Sequence, residues 1–383
     1  MSQLTVPQLV GSLVTLAALS VCGCGGNGSS TSSSSGSAVT AIPGFTKTPL
    51  VSDQAGVAPV TDPNLVNPWG IAFSPSGPFW LADNNSNLAT IYSGGNVGGS
   101  TTNLSPSGIQ IPFGNPTGQV YNATTDFTVT NGTTTSPALF IFSSETGWID
   151  GWSPSVNASS AEAPVDLSGS GAVFKGLAIG SNGTGNFLYA TDFANAKIDV
   201  FDRNFNMVTM PGGFADPTIP AGFAPFGIQA INGSLFVTYA KQDSAKHDDV
   251  KGKGNGYVDQ FDMNGNLIGR VATKGNLNSP WGLAMAPASF GPAAGLLLIG
   301  NFGDGLVNVY DPTNKSYVGT LADATSTPIV IDGLWGLAFG NGGSAGDTTS
   351  LYFTSGPGGE SHGVFGRLNA PATGPTKNRT GRR

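Results

Sequence analysis

Trp69-Gly70-Ile71-Ala72, Trp281-Gly282-Leu283-Ala284 and Trp335-Gly336-Leu337-Ala338 are three copies of one phrase: an aromatic residue, glycine, an aliphatic residue and alanine. Looser copies stand at Lys175-Gly176-Leu177-Ala178 and Phe226-Gly227-Ile228-Gln229. Their glycines are 106, 51, 55 and 54 residues apart in chain order. The first interval is two periods, so a degenerate sixth copy is expected near position 120, where Thr117-Gly118-Gln119-Val120 is the candidate. A fixed period of this length marks a chain built from repeated units.

Each phrase is followed by an apolar run with strand character: Phe79 to Ala82, Leu139 to Phe142, Leu188 to Thr191, Leu235 to Thr238, Leu297 to Gly300 and Leu351 to Thr354. Third runs such as Lys197 to Phe201 end in turn residues, for example Asp262-Met263-Asn264-Gly265, and fourth runs such as Ser316 to Leu321 follow. Four antiparallel strands repeated six times predict an all-β fold, a six-bladed β-propeller of four-stranded blades. The last repeat stops at its third strand, Gly363 to Leu368, while Phe45 to Val51 is an orphan strand. Pairing the two closes the ring through the N-terminal strand and removes an exposed sheet edge.

The composition suits that fold, with 57 glycines and only 10% charged residues in 383. Residues 1–24 read as an export signal, with an apolar stretch from Leu9 to Val21 too short to span a bilayer. It runs into Val21-Cys22-Gly23-Cys24, which resembles a bacterial lipobox with Cys24 as the lipidated residue; the alternatives are a plain signal peptide with incidental cysteines or a retained helix that anchors the chain through its N-terminus. Residues 25–41 are a Gly/Ser linker, 42–368 the propeller, and 369–383 a basic tail expected to be disordered. The propeller carries all 23 acidic residues against 12 of the 16 basic ones, a net charge near −11 that argues against nucleic acid. The expected location is the periplasm or cell surface, with a membrane contact through the lipid anchor.

The Pro-aromatic-Gly-aliphatic-Ala phrase followed by a strand ending in Asp resembles the NHL-repeat and TolB-like six-bladed propeller superfamily. Asn67-Pro68-Trp69-Gly70, Tyr239-Ala240-Lys241-Gln242-Asp243 with His247-Asp248-Asp249, and Ser279-Pro280-Trp281-Gly282 are similar to an uncharacterised family of exported bacterial propellers. The likeness spans about residues 45 to 368 and implies a fold without an activity.

In a propeller, the residues just before the recurring glycine line one entrance of the central channel. Here they are Trp69, Thr117, Lys175, Phe226, Trp281 and Trp335, and an open aromatic ring of this kind would stack on a flat ligand. The alternative is that they simply pack the blades. Second strands end on the same face at Asp83, Ser143, Asp192, Tyr239, Asn301 and Ser355. Asp83, Asp192 and Asn301 fall on alternate blades and, with Glu145 nearby, offer hard oxygen ligands for Ca2+; otherwise they close local turns. The loop Lys241 to Gly254 is the densest charge cluster, rises over that face, and places Lys241 and His247 among the ligand-binding candidates.

Two functions compete. One is a non-catalytic scaffold at the cell envelope, holding a small molecule, a glycan or an envelope protein. The other is a Ca2+-dependent hydrolase resembling the lactonases of the superfamily, which needs several of Asp83, Glu145, Asp192, Asn301 and Asp332 to converge on one point. Those enzymes place a glutamate at the opening of the first blade, where this chain has Asn67-Pro68-Trp69.

Overall fold

A computed structural model describes residues 39–371; the export signal, Cys24, most of the linker and the tail from residue 372 lie outside the described residues. Within them the structure is all-β, with two short 3-10 turns and no α-helix. Six sheets form a six-bladed β-propeller. Their innermost strands are Pro68–Ala72, Pro116–Tyr121, Phe174–Ser181, Phe223–Ile231, Pro280–Met285 and Leu334–Phe339, one for each copy of the phrase, including the degenerate copy at Gly118. Each lies against the next, and the sixth lies against the first.

The recurring glycine sets that spacing. A Cβ at Gly70, Gly118, Gly176, Gly227, Gly282 or Gly336 would come within 3.0 Å of backbone atoms in the next blade, in most cases the carbonyl of the residue before that blade's own glycine. Thr354 Oγ1 adds a clasp by donating to Trp69 O at 2.5 Å, and Thr191 Oγ1 by donating to Phe226 O at 2.7 Å. Outside this ring the apolar residues form six separate clusters, each between two neighbouring blades, for example Leu188 and Phe201 against Ile141 and Phe127. Twisted sheets packed face to face bury their alternating residues in this way.

Closure follows the expected route and then extends it. Thr46–Ser52 pairs antiparallel with Val364–Asn369 as the fourth strand of blade 6, from Thr46 opposite Asn369 to Ser52 opposite Val364. Asn369 therefore belongs to the sheet rather than to the tail. Ala41–Ile42, at the expected linker boundary, pairs in parallel with Ser316–Leu321, so the chain start clips onto blade 5 as well. Blade 2 carries an extra hairpin, Thr128–Thr130 with Thr135–Pro137, in the Thr-rich segment between its first two strands.

The third strands bury a polar residue at a repeated position: Thr90, Asp150, Asp199, Asp259 and Asn308. Asp199 is paired with Lys197 at 2.8 Å, Asp259 with Arg270, and Asn308 accepts from Thr320 Oγ1 at 2.7 Å. Neither carboxylate oxygen of Asp150 has a hydrogen-bond partner among the described residues, and burial pushes its pKa well above the ordinary range.

Gly282→Ala forces the blades apart and lowers the thermal midpoint by several degrees, a cost of about 1–3 kcal/mol as for other overpacked sites. A carboxyl whose pKa is raised by folding destabilises the fold once pH exceeds its unfolded value of about 3.9, up to its folded pKa and beyond. Asp150→Asn should accordingly raise the midpoint at pH 8, and the gain should shrink as pH falls toward 4, as read by calorimetric melting.

Candidate functional site

The residues before the glycines meet on the channel axis. Trp69 of blade 1 stacks on Trp335 of blade 6 with centroids 3.5 Å apart, and Phe302 stacks on Trp335 at 3.8 Å. Trp281 of blade 5 presents its edge to both tryptophans, at 6.0 and 5.8 Å, and Phe226 of blade 4 lies 5.9 Å from Trp335. None of these five is more than 9% exposed. The expectation of an open aromatic ring for a flat ligand is corrected here. With the inner strands this close, the ring faces satisfy one another and plug the channel. Trp335 Nε1 donates to Asn67 Oδ1 and Trp281 Nε1 to Lys175 O, both at 2.9 Å. On the other side of the plug a void of about 30 Å³ leads toward an opening of about 250 Å³ lined by Ile71, Gln119, Leu177, Gln229 and Leu337.

Above the plug lies a charged layer. Lys175, on the inner strand of blade 3, is only 1% exposed; its Nζ is paired with Glu145 and lies 3.3 Å from Asp248 Oδ1. The same ammonium stands 5.3 Å from the Trp69 ring centroid and 5.9 Å from that of Phe193, so the aromatic plug forms its floor. Glu145 is held from the far side by Asn84 Nδ2 at 2.9 Å. Burial pushes the Asp248 carboxyl up, but Lys175 and His247 outweigh it and hold its pKa below the ordinary range. Burial raises the Glu360 pKa, aided by nearby Glu145 and opposed by a hydrogen bond from Asn67 Nδ2 at 2.9 Å.

The loop from Lys241 to Gly254 is folded back over this layer. Gln242 bridges to Asp249, Val250 N–H donates to Lys241 O at 2.7 Å, and Asp243 Oδ1 accepts from the His247 N–H at 3.0 Å. Lys251 reaches inward, 3.9 Å from the centroid of the Phe302 ring. His247 and Asp248 stay half-exposed or more, 47% and 67% at their side chains, with His247 Nδ1 at 2.9 Å from Asp248 Oδ1. Lys241 is exposed; its backbone closes the loop base.

The calcium set of alternate blades does not assemble. Asp83 is buried inside blade 1 near Thr90 and Asp62, where burial raises its pKa well above the ordinary range. Asp192 is saturated by its own turn, accepting from Asn195 Nδ2 at 2.7 Å and from the Val173 and Asn195 N–H groups at 3.2 Å. Asn301 donates to Asn276 O at 2.8 Å and Asp304 Oδ1 at 3.0 Å, and Asp332 accepts from the Gly358 N–H at 3.0 Å. Local groups engage Asp192, Asn301 and Asp332, whereas neither carboxylate oxygen of Asp83 has a hydrogen-bond partner among the described residues.

One expected metal residue, Glu145, does find partners. Ligand atoms of Glu145, His247 and Asp248 lie within 4.8 Å of one another, the one such trio of His, Cys, Asp or Glu among the described residues. An imidazole with two carboxylates suits a divalent transition ion better than calcium, but Lys175 already supplies the positive charge between the carboxylates. Asn67, Asn84 and Glu360 are mouth residues that sequence reasoning did not select. Asn84 lies in the turn that follows the second strand of blade 1, and Glu360 has a left-handed backbone at φ 69°. His362, the second histidine, is paired with Asp53 at 2.8 Å in the ring closure.

No protein-family model matches the chain. An uncharacterized protein of Acanthamoeba polyphaga mimivirus is 37% identical over 300 residues, covering 76% of this chain and 72% of its own length. A second uncharacterized protein of that virus is 33% identical over 297 residues, covering 76% of this chain and 77% of its own length. The chain belongs to the family of these mimivirus proteins. Solved structures similar to this family member include virginiamycin B lyase from Staphylococcus aureus, 14% identical over 85% of this chain and 98% of that one, with a TM-score of 0.44. A chain of the nidogen/laminin complex is 15% identical over 71% of this chain and 84% of that one, also with a TM-score of 0.44.

Proposed function

We propose that the protein is an exported scaffold of bacterial lipoprotein type, anchored through lipid on Cys24, that holds a small molecule, a glycan or an envelope protein at the charged mouth. The observation that carries this reading is the pairing of a rigid interior with an accessible rim. Lys175 and Glu145 are fixed over an aromatic plug, while His247 and Asp248 present hydrogen-bonding groups to solvent from the loop above. Binding sites of this kind put a few placed polar groups on a preformed floor. The sequence Val21-Cys22-Gly23-Cys24 and the linker behind it support the anchor. In the host, metabolic labelling with a palmitate analogue should mark the protein and be lost in Cys24→Ala; equal labelling of the two would remove the anchor from this reading.

The Glu145, His247 and Asp248 trio favours a second reading, a metal-dependent hydrolase in which a divalent ion polarises a carbonyl and activates water. Lys175 separates the two. If the ammonium serves as the resident cation, calorimetric titration with Ca2+, Zn2+ or Mn2+ should give no saturable binding to the wild type, and Lys175→Met should acquire it. Tight binding by the wild type that disappears in His247→Ala would favour the hydrolase and displace the scaffold.

A further inference from the structure

One aromatic pair on the rim is left over from the plug. Phe113 stacks face to face on Trp148, with centroids 3.8 Å apart and planes 6° from parallel, yet it remains 58% exposed. One face of the ring is covered by indole and the other is open. The backbone that lifts it is unusual: Phe113, Gly114 and Asn115 have φ of 63°, 78° and 50°, three left-handed residues in succession. Glycine takes that conformation freely, but a bulky side chain does so under strain, and such strain concentrates at functional sites.

The strained segment is tied to the mouth. Asn115 N–H donates to Asn87 Oδ1 at 2.8 Å, and Asn115 O accepts the Glu145 N–H at 3.0 Å. Trp148 stands three residues after Glu145, at the start of the strand Trp148–Trp152. The aromatic platform therefore shares a turn with Glu145, the residue that pairs with Lys175.

We propose that Phe113, backed by Trp148, is the stacking platform for a neutral hexopyranose residue of a glycan, and that the mouth takes up its hydroxyls. This rests on the binding-mouth reading above and names its ligand class. A pyranose has an apolar C–H face and a rim of hydroxyls, which matches a single open ring tied to the turn of Glu145, whose carboxylate accepts from the Asn84 amide. A phosphate-bearing ligand would meet the carboxylates of Glu145, Asp248 and Glu360, and the Lys175 ammonium among them is already paired. A cation would find its place between Glu145 and Asp248 already held by Lys175.

The test is a fluorescence and calorimetric titration of the full chain with cellotriose, triacetylchitotriose and laminaritriose. At least one trisaccharide should bind and shift the tryptophan emission. Phe113→Gly should weaken it tenfold or more with an unchanged or higher thermal midpoint, since glycine relieves the left-handed strain and any loss is then not misfolding. Asp248→Asn should weaken it too. Binding that survives Phe113→Gly but is lost in Asp248→Asn overturns the platform and leaves the mouth; binding lost only in Phe113→Gly supports the platform and overturns the mouth as its neighbour. No saturation by any of the three at about 10 mM, a very weak interaction, overturns the glycan assignment, while the mouth is judged by its divalent-ion titration.

Discussion

Six backbone-to-backbone contacts at the recurring glycines are the constraint on which the structure depends. At each of them the inner strand of one blade approaches the next so closely that even a methyl group has no room. Close packing of this kind is intolerant of added volume, and in a closed ring every contact is shared by two neighbours. The threonine clasps at Thr191 and Thr354 bond the same carbonyls, so the ring is held by both exclusion and hydrogen bonds.

A narrow ring decides what the neighbouring side chains can do. Residues one position before the glycines project toward the axis, and with so little space their rings stack on each other rather than line an opening. The plug then becomes a low-dielectric floor, on which a buried ammonium needs compensation. Lys175 finds it in Glu145 from blade 2 and Asp248 from the blade 4 loop, with two aromatic faces beneath. Fold and mouth are thus linked: the glycine spacing makes the plug, the plug buries the lysine, and the lysine gathers the acids.

Much of the fold was legible in the sequence because its signals are local and periodic. The phrase around Gly70 and its copies, the hairpin turns such as Asp262 to Gly265, and the orphan strand at Phe45 to Val51 each report on their own neighbourhood. The site was legible only in part. Glu145 and His247 were selected, but the choice of Asp83, Asp192 and Asn301 as a set assumed that equivalent positions share an environment. They do not: Asp192 is spent on the Asn195 turn, and Asp83 is enclosed beside Asp62 and Thr90. The recurring third-strand residues Asp150, Asp199 and Asp259 passed unnoticed because a single Asp in an apolar strand carries no sign of being buried until the blades are packed.

By itself, the sequence determined the number of blades, the order of strands and the means of closure, because hydrophobic period, turn chemistry and a repeated glycine act within one repeat. Only the tertiary structure decided that the tryptophans face inward to one another, that Lys175 is paired with Glu145 and Asp248, and that Phe113 stands exposed on Trp148. Those outcomes rest on distances between residues of different blades, or of distant turns within one, and such distances are set by ring closure rather than by any stretch of chain.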